Sequence, residues 1–225
     1  MTCDEAVRCC HSVLVVDGVA TPRECAALRA VASDAASAPR NEVELARGKV
    51  RLPVRTFDGE TRRACEVILA RGVERTRSSA PALLESLFGD LFGGGGGVDA
   101  RTFFESDEVL GFTPNEPALN VYRAGGSFPP HEDGQYLTVL VPLSSPRDFH
   151  GGGTAFWARR PGDADAAAGA PPPALVEAPT EGTALVFCGS VLHAALPVEG
   201  GERSVLVASF SRRGGVRGDG RDPDP

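Results

Sequence analysis

The residues able to do chemistry in this 225-residue chain concentrate between Leu119 and Arg203. His131-Glu132-Asp133 is followed some sixty residues later by His193, and Arg203 lies ten residues beyond that histidine. Two imidazoles and one carboxylate make a facial ligand set for a divalent ion such as Fe(II), and three ligands leave octahedral positions open for reaction. In an extended segment residues i and i+2 point the same way, so His131 and Asp133 can face one ion while Glu132 turns to solvent. The third ligand must then arrive on a strand remote in sequence. His193, after the apolar run Thr183–Phe187 and the turn Cys188-Gly189-Ser190, is so placed. An HxD pair alone is a weak signal. HxD, a distal histidine and a spaced cation together specify an oxygen-activating metal site.

Arg203 is the candidate anchor for a dicarboxylate cosubstrate, because a guanidinium makes a bidentate, charge-assisted pair with a carboxylate. The competing reading is a surface arginine beside Glu202. Tyr122, nine residues before His131, can donate a phenolic hydrogen bond to the same cosubstrate or serve as a core tyrosine. Asn120 shares its strand face and is a further pocket candidate. Other polar and aromatic residues nearby take plainer readings: His150 as an exposed turn histidine, Trp157 as core, Cys188 as a small buried hydrophobe. Gly151-Gly152-Gly153 predicts a bulge or a close strand approach.

The elements that position these residues divide in two. Val13–Val16 reads as a short buried strand ended by Asp17-Gly18. Thr21, Pro22 and Glu24 then supply an N-cap, a proline at the first helical position and a capping box, predicting a helix to about Ser37. Further helices are predicted from Glu60 to Arg77 and from Pro81 through Leu91. Five consecutive glycines, Gly93–Gly97, predict a flexible connection. Beyond it come short β-type runs at 119–122, 137–143, 154–157, 174–177, 183–187 and 204–211. Helices followed by many short strands with glycine and proline punctuation predict an α+β chain whose β part is a sandwich or jelly roll. The expected organisation is a flexible N-terminus over 1–12, a strand and helical support region over 13–97, a core over 98–213 and a disordered tail over 214–225. Within the core, 159–173 predicts an exposed low-complexity loop.

Composition narrows the partners. A hydrophobic share of 42% and a charged share of 24% are those of a globular domain. The formal charge of −7 argues against nucleic acid, whose binding rests on Lys and Arg. No apolar run approaches the roughly 20 residues that span a bilayer, and no secretory signal is visible, so the expectation is an intracellular, cytoplasmic protein. Six scattered cysteines without a CxxC pair are expected to be reduced. Cys3, Cys9, Cys10 and His11 also permit a zinc reading. Oligomeric state is not legible.

Taken together, Asn120-Val121-Tyr122 and Gly125-Gly126 before His131-Glu132-Asp133, then Gly152-Gly153-Thr154-Ala155-Phe156, Gly182 to Phe187 before His193, and Gly201-Glu202-Arg203 resemble the Fe(II)/2-oxoglutarate dioxygenases, in their prolyl 4-hydroxylase-like branch. The resemblance covers roughly residues 115–211, and Val13–Ala32 is similar to the start of that branch. It implies a double-stranded β-helix (jelly roll) core with N-terminal helices packed on one sheet. It implies iron held by His131, Asp133 and His193, and 2-oxoglutarate held by Arg203 with help from Tyr122. It further implies O2 as oxidant, ascorbate as a reductant of idle iron, and a peptide or small-molecule substrate hydroxylated as succinate and carbon dioxide are released. Two departures bear on substrate. Arg203 stands where collagen-type prolyl hydroxylases carry lysine, and Gly134-Gln135 leads straight into Tyr136, without the longer loop of many members. Alternatives are a nucleic-acid dealkylase of the AlkB-like branch, which calls for a second arginine further along the final strand, and a non-catalytic cupin-type metal-binding module, which needs no dicarboxylate anchor.

Overall fold

Local chemistry sets the first elements, and long antiparallel strands then gather them. The structure, a computed structural model, describes residues 13–89, 110–157 and 172–213. The expected N-terminal segment and its cysteines, the five-glycine connection, most of the low-complexity loop and the tail lie outside those residues.

Strand β1 (Leu14–Val16) buries Leu14 and Val16 and exposes Val15. Helix α1 (Pro22–Ala36) starts as expected: the Glu24 amide donates to the Thr21 hydroxyl at 3.2 Å, and the Thr21 amide donates to the Glu24 carboxylate at 2.8 Å. Its Cys25, Leu28, Ala32 and Ala36 form one buried stripe. A 3-10 turn (Pro39–Asn41) and the short α2 (Glu42–Ala46) lead to β2 (Lys49–Pro53), a strand absent from the expectations above. Its alternation is nevertheless regular, with Val50 and Leu52 buried between half-exposed Lys49, Arg51 and Pro53. After a 3-10 turn (Val54–Thr56), Asp58 caps α3 (Gly59–Ser79) by accepting from the Thr61 amide at 2.7 Å. Helix α4 (Pro81–Phe88) is capped at Gly89, whose φ of +57° lies outside the helical range; the expected end at Leu91 lies outside the described residues.

The remaining elements are strands: β3 (Leu110–Phe112), β4 (Ala118–Tyr122), β5 (Phe128–His131), β6 (Leu137–Pro142), β7 (Phe149–Gly151), β8 (Thr154–Phe156), β9 (Leu175–Glu177), β10 (Ala184–Cys188), β11 (His193–Ala195), β12 (Val198–Gly201) and β13 (Arg203–Arg212). A large antiparallel sheet runs β1-β10-β6-β13-β4-β2, with β3 beside the far end of β13. A smaller antiparallel sheet runs β5-β11-β8-β9, and β7 pairs with β12. Strand alternation gives the large sheet two apolar faces. Val50, Leu119, Val139 and Leu206 join Leu28, Ile68 and Val73 of the helices in one core cluster. On the opposite face Leu185, Phe187, Val205 and Val207 join Phe156 of the small sheet in a second cluster, where the Phe156 and Phe187 rings meet edge to face at 5.1 Å. Helices thus cover one face of the large sheet and the small sheet covers the other.

Cys25, Cys65 and Cys188 are buried free thiols, and burial pushes Cys25 up to about 11 and Cys65 to about 12, which leaves both unreactive. Among the described residues no helix is long and apolar enough to cross a membrane.

Glu24 also ties α1 to α3 through Arg71, at 2.9 and 3.0 Å. The hydrogen bonds from Arg71, against an opposing burial effect, bring its carboxyl from an ordinary 4.5 down to about 2. A depressed folded-state value means stability present above pH 4.5 and lost as pH falls through about 2. Because the pair is about a third exposed, solvent screening limits it to on the order of 1 kcal/mol. Glu24→Gln retains the cap, so its urea unfolding midpoint should fall below the parent's at neutral pH and converge with it near pH 2; parallel curves throughout would contradict the pairing.

Candidate metal centre and its pocket

Antiparallel register brings the two histidines together. His131 ends β5 and His193 begins β11, and the two are direct cross-strand partners, their ring centroids 4.3 Å apart. Pro129 and Pro130 are tolerated in β5 because it is an edge strand, where an amide donor is dispensable. Asp133 is not on the strand, as a simple HxD reading of an extended segment expects, but two residues past its end. There the amides of Asp133 and Gly134 both donate to Gly189 O, at 2.8 and 3.2 Å, which folds the carboxylate back over the histidines. Asp133 Oδ1 lies 3.4 Å from His131 Nε2 and Oδ2 lies 3.6 Å from His193 Nε2. Ligand atoms of the three residues all fall within 4.8 Å of one another. Glu132 is exposed and borders the pocket mouth.

Each imidazole is oriented by its other nitrogen. His131 Nδ1 is 2.9 Å from Pro129 O and His193 Nδ1 is 2.9 Å from Val191 O. A carbonyl only accepts, so each Nδ1 carries the proton and each neutral ring turns the Nε2 lone pair toward Asp133. Phe128 packs on His131 at 4.3 Å and Phe187 on His193 at 4.8 Å. Burial lowers the His193 pKa, with Asp133 opposing and His131 adding, which favours the neutral, ligating form. For Asp133, burial works upward, but His131, His193 and the Thr138 hydroxyl overcome it and hold the carboxyl below its usual value. Two neutral imidazoles and a carboxylate are the donor set that a borderline divalent ion takes, so the residues present fit Fe(II).

The same cavity, of about 310 Å3, reaches Asn120, Tyr122, Thr154 and Arg203. Arg203 opens β13 opposite Tyr122 of β4 and is only 4% exposed, which removes the surface reading. Its Nη2 donates to Thr154 Oγ1 of β8 at 2.9 Å, and its guanidinium carbon lies 5.4 Å from the Tyr122 ring centroid. No carboxylate pairs with Arg203 among the described residues. Gly152 makes room for this arrangement, since a Cβ there would meet the Phe149 ring at 2.9 Å and Arg203 Cδ at 3.4 Å, and its φ of +70° suits glycine. Tyr122 is fully buried, which raises its pKa and keeps the phenol a donor despite Arg203. Asn120 lines the same cavity, and its Oδ1 is buried without a partner. A buried, unpaired guanidinium and a phenol with a proton to give form a cradle for a carboxylate.

Of the expected residues, all six therefore line one cavity. His150 is exposed on β7, away from the triad, and half-buried Trp157 is not part of the lining. Four polar residues about the site were not singled out from sequence. Arg51 and Glu116 form an ion pair in the cavity lining, where burial pushes Glu116 up to about 6, with Arg51 opposing and Asp133 adding. Thr138 and Ser209 lie behind Asp133. A signal was present for Thr138, the one hydroxyl in the apolar β6, but not for Ser209, which is one of three serines in β13.

No protein-family model and no curated protein sequence matches this chain. Among solved structures it is similar to the non-haem α-ketoglutarate-dependent epimerase SnoN of nogalamycin biosynthesis, at 16% identity and a TM-score of 0.56, over 99% of this chain and 92% of that one. It is also similar to a Pseudomonas putida prolyl-4-hydroxylase, at 17% identity and 0.54, over 94% and 97%. AviO1 of Streptomyces viridochromogenes Tue57 matches at 16% and 0.54, over 92% of both chains. The chain has the fold that these proteins share.

Replacing His193 or Asp133 by alanine should abolish stoichiometric Fe(II) or Co(II) binding measured by isothermal titration, whereas His150→Ala should leave it unchanged. Metal bound equally well by Asp133→Ala would remove the triad as the centre.

Proposed function

We propose that this chain is an Fe(II)/2-oxoglutarate-dependent dioxygenase that hydroxylates a peptide side chain, prolyl included, or a small molecule. The two facing sheets are read as a double-stranded β-helix. The observation that carries the proposal is Arg203: a guanidinium buried without a carboxylate, in the cavity that also holds the His131, Asp133 and His193 ligand atoms. Such a charge is retained where a ligand supplies the missing anion.

Bound iron and 2-oxoglutarate supply the oxygen activation and the oxidative decarboxylation that yields succinate and carbon dioxide. The chain's own residues supply placement. His131, Asp133 and His193 would hold the metal. Arg203, fixed by Thr154, takes the far carboxylate of the cosubstrate, and Tyr122 donates its phenolic proton to the same group. Holding the dicarboxylate by its far end would orient it beside the triad, which is a positional contribution to rate. Substrate would enter the same cavity, whose lining also includes Arg51, Glu116, Phe128 and Glu132. Lys49 Nζ sits 3.7 Å over the Phe128 ring and links the edge strands β2 and β5 of the two sheets.

The dealkylase alternative finds no second guanidinium on this face of β13, where Val205, Val207 and Ser209 follow Arg203. A storage module has no use for a buried unpaired arginine. With Fe(II), 2-oxoglutarate, oxygen and ascorbate, the protein should release succinate, and mass spectrometry of proline-containing peptides and small-molecule candidates should find a gain of one oxygen atom. Arg203→Ala should weaken 2-oxoglutarate binding by about 2 kcal/mol or more, roughly 30-fold. An unchanged apparent affinity would take Arg203 out of the site.

A further inference from the structure

Behind the metal ligands lies a buried hydroxyl pair that the reaction itself does not require. Thr138 of β6 and Ser209 of β13 are direct cross-strand partners, both facing the small sheet, and both are fully buried. Thr138 Oγ1 donates to Asp133 Oδ2 at 2.6 Å, the length of a charge-assisted hydrogen bond. Thr138 and Ser209 hydroxyl oxygens are 3.1 Å apart. A threonine hydroxyl has one proton. That proton serves Asp133 Oδ2, the shorter and charge-assisted contact, and Ser209 Oγ is the longer, second acceptor beside the same hydroxyl.

Ser209 is itself pinned. On one side, β13 leaves the β4 ladder at Val207 and joins the β3 ladder only at Phe210. In the gap, the Ser209 amide donates to Glu116 Oε2 and Ser209 O accepts from the Thr113 amide at 3.0 Å. Arg51 pairs with the other oxygen of Glu116. A side-chain carboxylate thus replaces the missing ladder acceptor, and the backbone carrying the Ser209 hydroxyl is held on both its polar groups.

We propose that Thr138, backed by Ser209, is a positioning residue for the metal site: its hydroxyl occupies Asp133 Oδ2 and fixes the carboxylate plane, leaving Oδ1 as the ligand atom. Without the Thr138 hydroxyl, the carboxylate is free to rotate about its own bond, and a ligand that must be ordered on binding binds more weakly. The inference rests on metal binding by the triad, and it is independent of the oxidative reaction.

The test compares Thr138→Val, Thr138→Ser and Ser209→Ala with the parent by Co(II) isothermal titration and by the ligand-field spectrum of the Co(II) protein. Valine keeps the shape and removes the hydroxyl; serine keeps the hydroxyl. Thr138→Val should weaken Co(II) binding about 10- to 100-fold and alter the spectrum. Thr138→Ser should restore both, and Ser209→Ala should weaken binding by a smaller factor. Should Thr138→Val not fold, the weakening in Ser209→Ala and the parental behaviour of Thr138→Ser carry the test. Parental affinity and spectrum in Thr138→Val, or in Ser209→Ala where valine does not fold, would overturn the proposal. So would weak binding in Thr138→Ser. Because cosubstrate is absent throughout, a parent that binds Co(II) but never turns over 2-oxoglutarate defeats the proposed function and leaves this inference standing.

Discussion

Placing a guanidinium inside a protein without a carboxylate beside it costs several kcal/mol, and this chain does so at Arg203. Only part of that cost is met locally, by one hydrogen bond to a neutral threonine and by the face of a tyrosine ring. Burial lowers the Arg203 pKa but from so high a starting point that the charge stays. The neighbouring features follow from holding it. Gly152 lacks a side chain where one would collide with Phe149 and crowd Arg203, Thr154 reaches across from the small sheet, and Tyr122 keeps its proton. Each is part of a cavity shaped for an anion and reached from the metal ligands.

A single strand sets the geometry of that cavity. β13 carries Arg203 at its start and Ser209 six residues on, both facing the small sheet, with β4 and β6 paired along its two sides. At about 3.3 Å per residue the two positions are roughly 20 Å apart along the strand, one beside Thr154 and Tyr122 and one behind the Asp133 carboxylate. A slip of one residue would turn both to the helix-covered face. The double ladder makes such a slip improbable, because Leu206, Ala208 and Phe210 would then leave the main core for the pocket. The apolar packing of the outer face and the chemistry of the inner face are therefore held by the same register.

Much of this was legible before the structure. The HxD spacing, the distant histidine and Arg203 stand out by residue type, and the capping box of α1 is readable letter by letter. What was not legible depended on neighbours remote in sequence. β5 reads as Phe-Pro-Pro-His, a poor strand by propensity, and it forms because it lies at a sheet edge against β11. β2 hid behind two cations, although Val50 and Leu52 alternate with them. Thr138 and Ser209 look incidental until β6 and β13 are paired. The position of Asp133 beyond the strand end depends on Gly189, more than fifty residues away.

The most direct test of the account is an anaerobic titration of the Fe(II)-loaded protein with 2-oxoglutarate, followed by visible absorbance. A chelated keto acid on Fe(II) has a charge-transfer band that neither component has alone. The account predicts a band that saturates at one equivalent and is lost when 2-oxoglutarate is replaced by a monocarboxylic keto acid at the same concentration, because the far carboxylate is what Arg203 holds. Iron bound at full occupancy with no band on adding 2-oxoglutarate, or an equal band with the monocarboxylate at equal affinity, would contradict it.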